Sequence, residues 1–229
     1  MSDHHKETFI TKYIFSQDHK MIAKQFLITG MIMAVLGMIM SAVFRVQLAN
    51  PGENSILYSL LPGSWVNEMG ALNPDKYLAL VTMHGTILVF WVLTAGLSGT
   101  FANFLIPLQI GARDMASGFL NMLSYWFFFV ATIVLISSIY VQGGPASGGW
   151  TIYPPLSALP QAIPGSGTGM TLWLVSITLF VVGSLLGGLN YIVTILNLRT
   201  KGMSMQRMPL TVWALLVTAI LGVLSFPVL

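Results

Sequence analysis

Four histidines are present, and one of them, His84, lies inside an uncharged run of membrane length, YLALVTMHGTILVFWVLTAGLSG. His4, His5 and His19 belong to a polar N-terminal head. An imidazole at hydrocarbon depth is unfavourable unless something there needs it, so an ionisable residue inside such a run marks a functional site by default. Neutral imidazole is also a common protein ligand for haem iron.

At helical spacing His84 shares a face with Leu88 and Trp91, while Gly37, Ser41 and Arg45 recur every fourth residue in the preceding apolar run. Small residues let a flat group or another helix approach the backbone closely. Two readings follow. In one, a haem is wedged between these helices, with His84 on iron and Arg45 bonding a polar substituent. In the other, His84 is a hydrogen-bonded packing residue and Arg45 snorkels to the interface.

A second group comprises Asn103, Asp114 and Asn121. Three polar side chains at one membrane mouth could hold a file of water and pass a proton to it. The plainer reading has Asp114 paired with Arg113 or biasing a helix N-terminus, and the asparagines capping helix ends. Ser184, Gly187, Asn190, Thr194 and Asn197 form a polar stripe at three- or four-residue spacing, a pattern used for packing more often than for a hydrated path. Trp150 and Tyr153 sit in a rigid aromatic stretch, WTIYPP, of the kind that anchors proteins at an interface.

The elements that must position these residues are read from composition. The chain of 229 residues is 55% hydrophobic and 7% charged, with mean hydropathy +0.79. A soluble domain carries roughly 25% charged residues, so an ordinary water-facing surface is excluded. The ten basic residues form no cluster, which argues against nucleic acid, and the absence of cysteine excludes disulfides and thiolate chemistry. Five apolar runs, near 22–45, 77–107, 119–142, 169–197 and 209–229, each suffice to cross a bilayer. The expected fold is an all-α polytopic transmembrane bundle embedded in lipid. The uncharged loop near 143–168 is expected to pack over the helices.

Lys6, Lys12, Lys20 and Lys24 precede the first run, Arg113 follows the second, and Arg199, Lys201 and Arg207 follow the fourth. The positive-inside rule then places the N-terminus and the short loops in the cytoplasm. Arg45 closes the first helix at the outer surface, and His84 lies about seven residues, roughly 10 Å, below that surface. Asp114 falls on the inner side.

The segments DHK (18–20), FRVQLANPG (44–52), TMHGTILVFW (82–91), NFLIPLQIGARDMA (103–116), GWTIYPPL (149–156) and LNYIVTILNLR (189–199) together resemble subunit I of the haem-copper oxidases. The likeness runs in family order across essentially the whole chain. It implies a twelve-helix subunit, with five helices here, that reduces O2 to water and pumps protons. His84 would then be an axial ligand of the low-spin haem, expected to be haem a, with Arg45, Ser41 and Gly37 beside it and Trp150 and Tyr153 over it. Asp114 would be the entry carboxylate of a proton pathway, with Asn103, Asn121 and, further up, Ser184.

Departures bear on these expectations. Met122 stands where the family commonly has a second asparagine, and Leu36, Met40, Lys76 and Ala79 replace the polar residues of quinol-oxidising members. That favours cytochrome c, or a fused or tethered cytochrome domain, as donor. The alternatives are a quinol oxidase of the same fold and a non-enzymatic membrane subunit. The second low-spin ligand, the high-spin haem ligand and the copper histidines belong to later family helices. Residues 1–229 are therefore expected to be the N-terminal part of one domain, truncated or else naturally split and completed by another chain. Subunits II and III are the expected partners, and a bacterial cytoplasmic membrane the expected setting.

Overall fold

The structure, a computed structural model, describes residues 9–51, 53–163 and 166–229. His4, His5 and Lys6 lie outside the described residues, as do Gly52 of the FRVQLANPG segment and Pro164 and Gly165 of the long uncharged loop. Among the described residues five helices are long and apolar enough to cross a membrane: α1 His19–Ala49, α2 Pro74–Ile110, α3 Gly118–Tyr140, α4 Thr168–Asn197 and α5 Leu210–Val228. Helices are what such runs must form, since in lipid every backbone N–H and C=O has to be satisfied within the segment. Among the described residues no strand forms, and Val66 and Leu72 make one isolated bridge. The protein is an integral membrane protein with an all-helical bundle fold.

The ends of the helices differ from those expected in ways that matter for the site. Asp18 caps α1, its carbonyl accepting from the Met21 and Ile22 N–H groups and its carboxylate from the backbone N–H of Lys20. The helix therefore begins at His19 and takes that residue out of the polar head: His19 is 3% exposed. At the other end α1 continues to Ala49, so Arg45 lies one turn inside the helix and does not close it. Helix α2 starts at Pro74, whose fixed φ suits a first helical position. His84 is thus ten residues into it, about 15 Å along the axis, deeper than expected. The helix ends at Gly111, whose φ of +74° is the left-handed cap that turns the chain into the loop carrying Asp114.

The middle of α2, Ile87–Leu97, is wound as a π-helix. Thr94 Oγ1 donates to the carbonyl of Val89, five residues back, in keeping with that winding. Wider turns rotate the faces relative to ideal α-spacing. Accordingly Trp91, expected on the His84 face, is fully buried elsewhere and donates from Nε1 to Thr132 Oγ1 of α3 at 2.8 Å.

The chain divides into two compact units. One comprises residues 1–29, 95–129 and 180–229, with a core of Ala102, Ile106, Ile110, Tyr191, Ile195, Val212 and Leu216. The other comprises residues 30–94 and 130–179. Within the second, the uncharged loop does pack on the helices. Gly143 O accepts from Lys76 Nζ at 2.6 Å, Gly149 N donates to Thr82 Oγ1 at 3.0 Å, and Ala146 and Ile152 are buried. Gln47 Oε1 at the end of α1 accepts from Tyr58 Oη at 2.8 Å and from Leu72 N at 3.0 Å, ordering the segment between α1 and α2. Burial pushes the Tyr58 phenol above its ordinary pKa, so it stays a donor there.

Candidate functional site

In the unit of residues 30–94 and 130–179, α1 and α2 meet at Gly37. A Cβ there would lie 3.2 Å from Leu88 Cδ2 and 3.4 Å from Ile87 Cγ2, so glycine is what permits the approach. The approach brings His84 Nδ1 within 2.8 Å of the Gly37 carbonyl oxygen. A carbonyl only accepts, so Nδ1 carries the proton and the other nitrogen of a neutral ring, Nε2, presents its lone pair. A hydrogen bond from the other ring nitrogen to a carbonyl fixes tautomer and orientation in metal-ligating histidines. Phe44 meets the imidazole edge-on, with ring centroids 5.4 Å apart, and confines it from the α1 side.

The other expected members of this group are placed as follows. Ser41 is half-buried and Arg45 exposed on α1, one and two turns beyond Gly37. Trp150 stacks edge-on against Phe90 of α2 at 5.3 Å, while Tyr153 is 72% exposed. Among the described residues no group of three or more His, Cys, Asp or Glu could hold a metal ion. A haem needs only one side chain on each face of its iron, and His84, with Nδ1 committed and Nε2 available, fits that requirement. Nothing at Gly85 opposes a flat group either, because a Cβ there would meet no atom within 4 Å.

In the unit of residues 1–29, 95–129 and 180–229, Asp114 is half-buried in the loop between α2 and α3. Its Oδ1 accepts from Met115 N at 2.7 Å and from His19 N at 3.3 Å. The carboxylate therefore sits at the N-terminus of α1, where the helix dipole favours a negative charge. His19 Nδ1 bonds to the main-chain oxygen of Asn103 at 2.8 Å. Asn103 Nδ2 in turn donates to Gly99 O at 2.7 Å and to Tyr191 Oη at 3.1 Å. Asp114, His19, Asn103 and Tyr191 thus form one continuous set of hydrogen bonds.

Asn103 and Asn121 are both fully buried, and Asn103 Oδ1 and both polar atoms of the Asn121 amide have no partner among the described residues. Buried amides of this kind call for water, which typically satisfies several such groups at once. The expected polar stripe of α4 has a different use. Asn190 Oδ1 accepts from Ser117 N at 3.0 Å, and its Nδ2 donates to Ser117 O at 3.1 Å. Thr194 Oγ1 accepts from Ala116 N at 2.9 Å. These residues staple the Asp114 loop to α4. Ser184 is half-buried on α4, next to Gly183, where a Cβ would meet the Ser124 carbonyl oxygen and Phe127 Cβ of α3. His19 and Tyr191 were not singled out by sequence reasoning, although both lie in quoted segments, DHK and LNYIVTILNLR.

Residues 21–229 match the family described as Cytochrome C and Quinol oxidase polypeptide I. The chain is 42% identical over 226 residues to the alternative cytochrome c oxidase subunit 1 of Bradyrhizobium diazoefficiens, covering 99% of this chain and 36% of that protein. It is 39% identical over 222 residues to cytochrome c oxidase subunit 1 of Candida albicans, covering 97% and 38%. Against cytochrome c oxidase subunit 1 of a Synechocystis species the identity is 37% over 230 residues, covering 100% and 37%. The chain thus spans a little over a third of the length of these relatives.

Proposed function

The chain belongs to the subunit I family of the cytochrome c and quinol oxidases, and from that premise we propose that it is part of the catalytic subunit of a terminal respiratory oxidase. The intact subunit would reduce O2 to water with electrons from cytochrome c, and couple this to proton pumping. The observation that carries the reading is the 2.8 Å bond from His84 Nδ1 to the Gly37 carbonyl, which leaves Nε2 free to ligate an iron. A low-spin haem bound there supplies one-electron redox chemistry. Gly37 keeps α1 close and holds the imidazole by its carbonyl, while Arg45 offers a cation to the haem's polar edge. With a haem bound, these residues would be the protein's means of setting its potential.

Asp114 takes up protons from the cytoplasmic side in this reading, and Asn103 and Asn121 hold the water that receives them. Two backbone N–H groups hold its Oδ1, and partial exposure keeps the carboxylate in reach of solvent. Cytochrome c is favoured over quinol as donor. Lys76, at a position where quinol-oxidising members carry a polar site residue, is committed to Gly143 O and lies 5.9 Å over the Trp65 ring. Met40 and Ala79 are buried. High-spin haem, copper, subunits II and III and a bacterial cytoplasmic membrane with the N-terminus inside complete the proposal.

The test is proton uptake and oxygen consumption by the intact oxidase in liposomes, driven by reduced cytochrome c. The Asp114→Asn variant is expected to slow uptake and pumping at least tenfold with unchanged haem spectra. Unimpaired pumping would remove the proton-entry role, and turnover with quinol but not with cytochrome c would overturn the donor assignment.

A further inference from the structure

We propose that Tyr191 is a positioning residue for the proton-entry site, acting through the side-chain amide of Asn103; this rests on the proposed role of Asp114. An asparagine amide has two donors and one acceptor oxygen, and its use in proton transfer depends on which way it faces. Gly99 O lies 2.7 Å from Asn103 Nδ2 and can only accept, so the nitrogen must point there. That orientation leaves the second N–H, and the Tyr191 hydroxyl oxygen takes it at 3.1 Å. With both donors consumed, the amide presents a single free group, the buried acceptor Oδ1. Any water held on Oδ1 must then point a hydrogen at Asn103. The polarity of that water is thereby fixed.

The surroundings hold Tyr191 and Asn103 in place. Tyr191 is 9% exposed and belongs to the packed core, so its ring does not swing out of place. A Cβ on Gly187 would stand at ordinary contact distance, 3.6 Å from Tyr191 Oη and 3.7 Å from Ser124 Oγ, so the α4 backbone passes close to both hydroxyls. Asn103 is also held through its backbone, because its carbonyl bonds to His19 Nδ1 and the His19 N–H bonds to Asp114. Removing the Tyr191 hydroxyl frees one buried N–H of Asn103 to recruit a water of its own, and that water competes with the ordered one.

The test uses the intact oxidase in liposomes, with proton uptake followed in a single turnover by a pH dye. Tyr191→Phe keeps the ring and is expected to slow uptake about threefold to tenfold, the range for losing one neutral hydrogen bond. Haem spectra and the rate of O2 binding should not change. The double variant Asn103→Ala/Tyr191→Phe should be no slower than Asn103→Ala alone, because Tyr191 acts only through that amide. Multiplicative slowing in the double variant, altered haem spectra in Tyr191→Phe, or wild-type uptake would each overturn the proposal. Asp114→Asn in the same preparation separates the two layers. If it slows uptake while Tyr191→Phe does not, only the Tyr191 role fails; if neither slows it, the proton-entry reading fails as well.

Discussion

Asn190→Leu tests how the Asp114 loop is held. The side chain is 1% exposed and makes two bonds to one residue, accepting from Ser117 N and donating to Ser117 O. Leucine has nearly the same shape and neither polar atom. The two losses are unequal. Ser117 O keeps a second partner, the Asn121 N–H at 3.1 Å, so that side loses only a net bond of about 0.5–1.5 kcal/mol. Ser117 N has its bond through Asn190, and an orphaned donor costs about 1–3 kcal/mol. The sum is roughly 1.5–4.5 kcal/mol of local stability, or one to three decades in the opening equilibrium at about 1.4 kcal/mol per decade. Hydrogen exchange on the intact oxidase in nanodiscs, resolved to single amides by fragmentation mass spectrometry, reads that opening directly. Ser117 should exchange about tenfold to a thousandfold faster, with core amides of α4 unchanged. Thr194→Val should instead release Ala116, whose N–H it accepts. Unchanged Ser117 protection in Asn190→Leu would refute the staple.

Gly37→Leu should push α1 off Leu88 and Ile87, break the His84–Gly37 bond and lower haem content by more than half, checked by the pyridine haemochrome. Gly37→Ala, which asks Leu88 to yield only a few tenths of an ångström, should retain the haem with a stability loss of about 1–3 kcal/mol. Gln47→Leu orphans the buried Tyr58 hydroxyl and Leu72 N–H, about 1–3 kcal/mol each. Exchange across residues 56–72 should rise while the haem spectrum stays constant.

The spans were legible because charge exclusion over some twenty residues is a strong physical signal, and all five appear within a few residues of their expected limits. Helix ends were less legible. Arg45 looked like a terminus because charge marks the interface, yet α1 runs a turn past it. The π-winding of 87–97 leaves no mark on hydropathy, so the expected His84–Leu88–Trp91 face was only two-thirds right. Pairing between helices distant in sequence carries no local pattern at all. Hence the Gly37 carbonyl on His84, the Asn190 staple on Ser117, and the recruitment of His19 and Tyr191 around Asn103 emerge only once the helices are packed.

His84 Nε2 is proposed to ligate a low-spin haem, with the ring held by the Gly37 carbonyl. The most direct measurement is the reduced-minus-oxidised optical spectrum of the intact oxidase carrying His84→Ala, beside the unaltered enzyme. The low-spin haem band should be abolished in the variant. A band of normal position and amplitude would contradict it.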